Sequence, residues 1–290
     1  AECSIEVDPR TASAERLSHF WSLGLNRISF GVQDFDAEVQ QAVHRIQPYE
    51  QVELLMTAAR RLGYQSINVD LIYGLPKQRP DNFARTIEQV IGLAPDRIAL
   101  YGYAHLPERF KPQRRIVSSE LPDGAARLAM LGHAIAAFAG AGYEYIGMDH
   151  FALPDDELVL AQESGTMYRN FQGYSTRGYC DLVGLGVSSI GKVGDHYIQN
   201  LKTLPEYYGA IDRGELPVHR GYTMTRDDVI RRDVIQQIMC YGILDFDRTS
   251  ERFGIDLSEV SLGRVLKQLG FSRISARPQH PKQHPEAIAA

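Results

Sequence analysis

Apolar positions in the first half of the chain alternate between two periods. Leu17, Phe20 and Trp21 recur at helical spacing between Ala14 and Leu23, and Gly24 stops the run. A strand-like run, Arg27-Ile28-Ser29-Phe30-Gly31-Val32-Gln33, follows it. The next helix carries Val52, Leu55, Met56 and Ala59 on one face and ends at Gly63, before a second strand-like run from Ser66 to Tyr73. A third helix from about Asp81 to Leu93 presents Phe83, Ile87 and Val90 and leads into Arg97-Ile98-Ala99-Leu100-Tyr101. Helix, turn and strand in repeated order predict a parallel sheet with helices outside.

The second half is less regular. A helix is predicted from Asp123 to Gly140, a strand from Tyr143 to Met148, a short helix from Asp155 to Gln162, and a glycine-rich stretch from Gly173 to Gly194. Thr225 to Ile238 reads as a strong helix with Asp227 and Asp228 in its first turn. Domains are expected at residues 1–204, 205–276 and 277–290, the last a Pro-, His- and Gln-rich disordered tail. Opening at Ala1 without an initiator methionine, directly on a strand-like segment, the sequence reads as a piece of a longer chain.

Parallel strands covered on both faces are almost wholly apolar. Here each carries polar groups near its C-terminal end: Glu6 and Asp8, Gln33 and Asp34, Asn68 and Asp70, Tyr103 and His105. In a β/α barrel that end is where substrates bind. Capping of the next helix accounts equally well for Asp8, Gln33 and Asp34; it fits Glu6 and Asp70 less well, since both have apolar neighbours. Arg45, in a polar loop, either faces solvent or folds over the barrel mouth to hold a carboxylate. His150, beside Asp149 at a strand end, is either a packed side chain or a substrate-orienting one.

Composition narrows the class. The 290 residues are 44% hydrophobic and 23% charged, with net charge −5. That permits a sizeable core and gives no footprint for nucleic acid. The apolar runs fall short of the roughly 18 residues of a membrane span, and a soluble cytoplasmic protein is expected. The three cysteines, Cys3, Cys180 and Cys240, are far apart and predict neither disulfides nor a metal site in this chain.

Several long motifs follow in one order: Glu6-Val7-Asp8-Pro9-Arg10, Gly31-Val32-Gln33-Asp34-Phe35, Asn68 to Pro76, Tyr103-Ala104-His105, Gly147 to Ala152, Arg169 to Tyr174 and Gly184 to Ile190. Together they resemble the radical S-adenosylmethionine (SAM) superfamily, in the group that contains oxygen-independent coproporphyrinogen III oxidase, over about residues 1–250. The resemblance implies an α/β fold, a partial (β/α)6-type barrel with its last four β/α units present, and a mainly helical C-terminal part. It implies that Glu6, Gln33, Arg45, Asp70, Ala104 and Ile190 contact two SAM molecules, with Glu6 and Asp70 as ionised acceptors and Arg45 on the methionyl carboxylate.

The implied reaction, in anaerobic haem biosynthesis, converts two propionates of coproporphyrinogen III to vinyl groups. A 4Fe–4S cluster splits SAM, the resulting radical removes a propionate hydrogen, and loss of CO2 and one electron completes the vinyl group; an electron donor and acceptor are partners. For the substrate's carboxylates, Lys111, Arg114, Arg115 and Arg169 are the candidate cations, with His150 beside them; a solvated loop accounts as well for Lys111 to Arg115. No catalytic residue is singled out, and a monomer is implied. The superfamily's Cys-x3-Cys-x2-Cys motif is absent, so this chain alone is expected to be inactive. The competing readings are a haem-binding chaperone of the same superfamily and a non-catalytic porphyrin binder; the Gly147 to Ala152 and Arg169 to Tyr174 segments favour the oxidase.

Overall fold

The computed structural model describes residues 2–256, 258–260 and 264. The tail expected at 277–290, and residues 265–276 before it, lie outside the described residues. The first half runs β1 (Ser4–Val7), α1 (Ala14–Ser22), β2 (Arg27–Gln33), α2 (Ala37–Ala42), α3 (Tyr49–Leu62), β3 (Ser66–Tyr73), α4 (Pro80–Leu93), β4 (Arg97–Gly102) and α5 (Gly124–Gly140). These strands pair in parallel in chain order. A hairpin of β5 (Glu144–Gly147) and β6 (His150–Ala152) completes a six-stranded sheet of order β1-β2-β3-β4-β6-β5, with β6 antiparallel to β4.

The helices form where the periodicity places them, for visible local reasons. Ser13 caps α1 by accepting from the Arg16 amide, and Pro80 opens α4, where its missing N–H goes unneeded. At the end of α3, Gly63 takes φ 91°, a left-handed stop that glycine adopts without a Cβ penalty. Leu17, the Val52/Leu55/Met56/Ala59 face and Phe83, Ile87 and Val90 are all buried. They pack on one face of the sheet, made by Ile28, Phe30, Val32, Ile67, Val69, Leu71, Ile98 and Leu100. Burying each such side chain contributes roughly 1.5–3 kcal/mol.

The opposite face is the departure from expectation. Polar groups are not confined to strand ends. In β2 and β3 buried and half-buried positions alternate, and the register aligns Glu6, Ser29, Asn68 and Arg97 in one row and Gly31, Asp70, Ala99 and His150 in the next. Strands facing helices on one side only keep an apolar period of two, so the run of apolar residues typical of doubly covered strands is broken. Low on this face Arg97 binds Asp156 (2.9 Å) and Glu157 (3.1 Å), and Arg27 also bonds Glu157.

The rest of the first compact unit holds α6 (Glu157–Glu163), a hairpin of β7 (Tyr168–Asn170) and β8 (Gly173–Ser175), and an antiparallel sheet of β9 (Ile190–Val193), β10 (His196–Asn200) and β11 (Val218–Thr223), with α7 (Leu204–Asp212) between the last two strands. Residues 205–224, expected with the helical part, stay in this unit because β11 pairs with β10; the unit runs to Met224 and takes in Met239–Gly242. The second unit begins at Thr225. Among the described residues it contributes α8 (Arg226–Tyr241), whose last residues belong to the first unit, and α9 (Phe246–Phe253), capped by Asp245. Among the described residues no helix is long and apolar enough to cross a membrane.

Candidate functional site

At the upper end of β1–β3, Asp70 stands on the polar face. Its carboxylate accepts from Ser29 Oγ (3.1 Å) and Asn68 Nδ2 (2.8 Å), and Asn68 also donates to Ser29 (2.9 Å). Burial pushes the Asp70 carboxyl up to about 6; the two hydrogen bonds and Arg45 pull it down, and Glu6 adds to the rise. Asp70 is therefore a weaker acid than an ordinary carboxyl, though still largely ionised at pH 7.

Arg45 arrives from the loop between α2 and α3. His44 at φ 56° turns the chain, the Arg45 amide donates to Gln40 O (2.8 Å), and the side chain returns to the polar face. There Nη2 donates to the Gly31 carbonyl (2.7 Å) and Nη1 to Asp8 (3.1 Å), while buried Nε has no partner among the described residues. With 21% of its side chain exposed, Arg45 is not a solvent-facing loop residue. Burial lowers its pKa, against the pull of Asp8. Asp8 also caps the turn Pro9–Thr11 and pairs with Arg10 (2.6 Å), whose hydrogen bond holds the carboxyl at about 2.

Gln33 completes the group. It sits at a slip in the β2–β3 register, with φ 68°, and its amide folds back over Gly31. A Cβ on Gly31 would lie 2.9 Å from Gln33 Nε2 and 3.2 Å from Arg45 Nη2, so both side-chain tips lie over this glycine and a larger residue would displace them. Four side chains named from the sequence, Glu6, Gln33, Arg45 and Asp70, thus share one end of the face.

The other end is aromatic and cationic. His150 lies across Ala99 from Asp70 in register. Its ring stands edge-on between Tyr101 (6.0 Å) and Tyr174 (5.1 Å), with Nδ1 buried and without a partner among the described residues. Burial first, then Arg169 and Arg97, lower the His150 pKa to about 4, so the imidazole is neutral at pH 7. The Arg169 guanidinium lies 4.6 Å above the Tyr174 ring, and the Tyr174 hydroxyl donates to Met239 O (2.8 Å). Tyr101 sits between the two ends; burial, Asp70 and Asp149 push its pKa to about 12, so it remains a donor.

The remaining candidates lie elsewhere. Ala104 follows β4 and gives its carbonyl to Gln113 Nε2 (3.0 Å). Ile190 opens β9, on a different sheet. Arg114 and Arg115 are exposed on the turn Lys111–Arg115, with Arg114 Nε donating to Pro107 O (3.1 Å). Sequence reasoning missed Ser29, Tyr101 and Tyr174. The signal for Ser29 and Tyr101 was present, since both hold alternate positions in step with Gly31 and Ala99.

The model for the radical SAM superfamily matches residues 1–90, the segment that carries Glu6, Gln33, Arg45 and Asp70. The oxygen-independent coproporphyrinogen III oxidase of Thermostichus vulcanus is 44% identical over 289 residues, covering 96% of this chain and 89% of that protein. The chain belongs to the oxygen-independent coproporphyrinogen III oxidase family. The Pseudomonas aeruginosa oxidase is 55% identical over 252 residues, covering 87% of this chain and 55% of that one. The solved Escherichia coli coproporphyrinogen III oxidase, a radical SAM enzyme, superposes with TM-score 0.85 at 46% identity, over 93% of this chain and 63% of its own. The chain thus spans just over half the length of curated oxidases such as that of P. aeruginosa. A winged helix-turn-helix model matches residues 247–290, which lie mostly outside the described residues.

Membership implies SAM and a 4Fe–4S cluster, and the two fare differently. Arg45 Nε, buried without a partner among the described residues, and the half-buried Asp70 carboxyl, its pKa raised to about 6, fit a ligand that brings a carboxylate, an ammonium and hydroxyls, as SAM does. The cysteines do not fit a cluster: Cys3 precedes β1, Cys180 is exposed, and Cys240 is buried in α8. Among the described residues no group of three His, Cys, Asp or Glu could hold a metal ion.

Proposed function

We propose that this chain carries the SAM-binding face and part of the substrate surface of an oxygen-independent coproporphyrinogen III oxidase. The observation that carries the reading is the convergence of Gln33 and Arg45 over Gly31, beside Asp70 and Glu6. Arg45 is suited to the methionyl carboxylate through its free Nε, Glu6 and Asp70 to ribose hydroxyls or the ammonium, and Gln33 to either through its amide. Ala104 and Ile190 would add backbone and apolar contacts, Ile190 to a second SAM. SAM, cleaved with one electron from a reduced 4Fe–4S cluster held outside this chain, would supply the hydrogen-atom abstraction that begins the reaction.

Each propionate loses one hydrogen atom, CO2 and one electron to become a vinyl group. The chain's task at the other end of the face is to hold carboxylates: Arg169 offers charge, Tyr101 a hydroxyl, and neutral His150 an unpaired nitrogen. Arg114 and Arg115 would meet the remaining carboxylates. With no cysteine set to carry a cluster, this chain by itself does not turn over. It acts in the cytoplasm as a monomer, with an external electron donor and acceptor.

Titration calorimetry with SAM and fluorescence titration with coproporphyrin III test the reading on the chain as it stands. Saturable 1:1 or 2:1 binding of SAM and binding of coproporphyrin III are expected, with Asp70→Asn weakening the first and leaving the second within twofold. Absence of SAM binding would sink the site assignment. Haem bound well ahead of coproporphyrin III would favour a haem chaperone instead.

A further inference from the structure

Directly behind Gln33, on the helix-packed side of the sheet, lies a carboxylate that the ligand face does not use. Asp34 is 2% exposed. Its Oδ1 accepts from the Asp36 amide (2.6 Å) and the Thr86 hydroxyl (2.8 Å), and its Oδ2 from Gln78 Nε2 (2.5 Å). Gln78 is itself fixed by the Ile72 carbonyl and the Leu75 amide, both at 2.8 Å. Gln40 Nε2 ties the Asp34 carbonyl (2.9 Å) to the Gln47 carbonyl (2.8 Å), and Gln47 donates to the Val32 carbonyl. Gln40, Gln47, Gln78 and Thr86 are all buried. The Asp34 side chain does not cap α2; Asp36 does.

A buried carboxylate held by neutral amides and a hydroxyl is an expensive way to fill a core, and an apolar side chain would pack there more cheaply. What the network encloses is the peptide that follows Gln33. That residue has φ 68°, and the Asp34 amide closes a three-residue turn onto Val32 O (2.9 Å). A γ-turn of this hand is rare and strained for a residue with a side chain, and persists only where its surroundings over-determine it. The same turn sets Gln33 opposite Leu71 rather than one residue further on, which draws its amide back over Gly31.

We propose that Asp34 is a positioning residue: with Gln78 and Thr86 it pins the turn after Gln33, so that the Gln33 amide stays beside Arg45 on the ligand face. The inference rests on the reading of that face as a SAM site.

The test is a double-mutant cycle on the whole chain, with SAM affinity measured by calorimetry and unfolding followed alongside. Asp34→Asn keeps the volume but sets an amide N–H₂ against donors. It should weaken SAM binding by about tenfold. Because it acts through Gln33, adding it to Gln33→Ala should cost little beyond the larger single loss. A Asp34→Asn chain that melts earlier yet binds SAM within twofold of the parent overturns the positioning role, and so do losses that multiply. If Asp34→Asn does not fold, Thr86→Val removes the hydroxyl that donates to Asp34 and accepts from the Phe35 amide, and should weaken SAM by about threefold; an unchanged affinity there overturns the proposal. A parent chain that binds no SAM fails at the first titration, which separates failure of the site reading from failure of this one.

Discussion

The two ends of the polar face meet the same physical problem with opposite signs. At the β1–β3 end, Asp70 has two neutral donors and a distant arginine, and burial lifts its pKa to about 6. At the β4–β6 end, His150 stands between two tyrosine rings with an unpartnered Nδ1, and burial drops its pKa to about 4. Desolvation disfavours whichever form is charged, so both groups move toward neutrality. Asp34, just behind the face, moves the same way: burial raises its pKa although three hydrogen bonds reach its carboxylate, against two at Asp70. What separates them is access: Asp34 is sealed at 2% exposure, whereas Asp70 is half-buried on the open face. The acidic end suits hydroxyls and an ammonium, and the aromatic end suits carboxylates.

The sharpest way to break this comparison is to remove the cation from the acidic end. Arg45→Ala deletes the bonds to Asp8 and to the Gly31 carbonyl and removes the guanidinium that acts on Asp70. SAM affinity should fall roughly a thousandfold, about 4 kcal/mol, as when one partner of a buried charge pair is truncated. Arg45→Lys should recover little of it, because a lysine cannot hold a carbonyl and a carboxylate with one planar fork. Calorimetry on the three chains reads both; near-parental affinity in Arg45→Ala would detach this arginine from the ligand.

Next in size are two opposed pH dependences. Asp70 holds its proton up to about pH 6 in the folded chain, against 3.8 as an ordinary carboxyl. Its contribution to stability is therefore full below pH 4 and is lost as pH rises through 6. His150 runs the other way: with a folded pKa of about 4 against 6.5, its contribution is full above pH 6.5 and is lost as pH falls through 4. Each shift corresponds to about 3 kcal/mol, so over the shared window the two slopes nearly cancel. Asp70→Asn should uncover the histidine, giving a chain that loses stability on acidification from pH 6.5 to 4. His150→Phe should uncover the aspartate, giving one that gains stability over the same range. Urea unfolding of parent and variants at several pH values checks the signs, and parallel slopes in all three would remove the account.

Legibility in the sequence follows the same division. Helix faces were readable because burial repeats locally: Val52, Leu55, Met56 and Ala59 announce a stripe before any partner is known. Glu6 and Asp70 were readable because a carboxylate inside an apolar run is locally conspicuous. Arg45 was ambiguous because its position depends on His44 turning through φ 56° and on Asp8, 37 residues away. Tyr101 reads as one more member of an apolar strand, and only the fold puts it between Asp70 and His150. The three- to six-residue strands β6 to β11 were missed because such short segments carry too little period to separate from loop.

The smallest expected effect tests how far the carboxylate-binding end reaches. Arg114 and Arg115 are exposed on their turn, whereas Arg169 is half-buried over Tyr174. Replacing both turn arginines with alanine should change stability by no more than about 0.5 kcal/mol, as for other surface substitutions. If they meet propionates, coproporphyrin III binding weakens about threefold at low salt. That difference vanishes toward 1 M salt, where the Debye length shrinks to about 3 Å. Arg169→Ala should instead weaken binding about equally at both salt concentrations, because a charge packed against a ring and shielded by protein is screened little. A salt-independent loss from the turn arginines would place them inside the site with Arg169. No loss at any salt would end the carboxylate-binding surface at β7 and leave the turn to solvent.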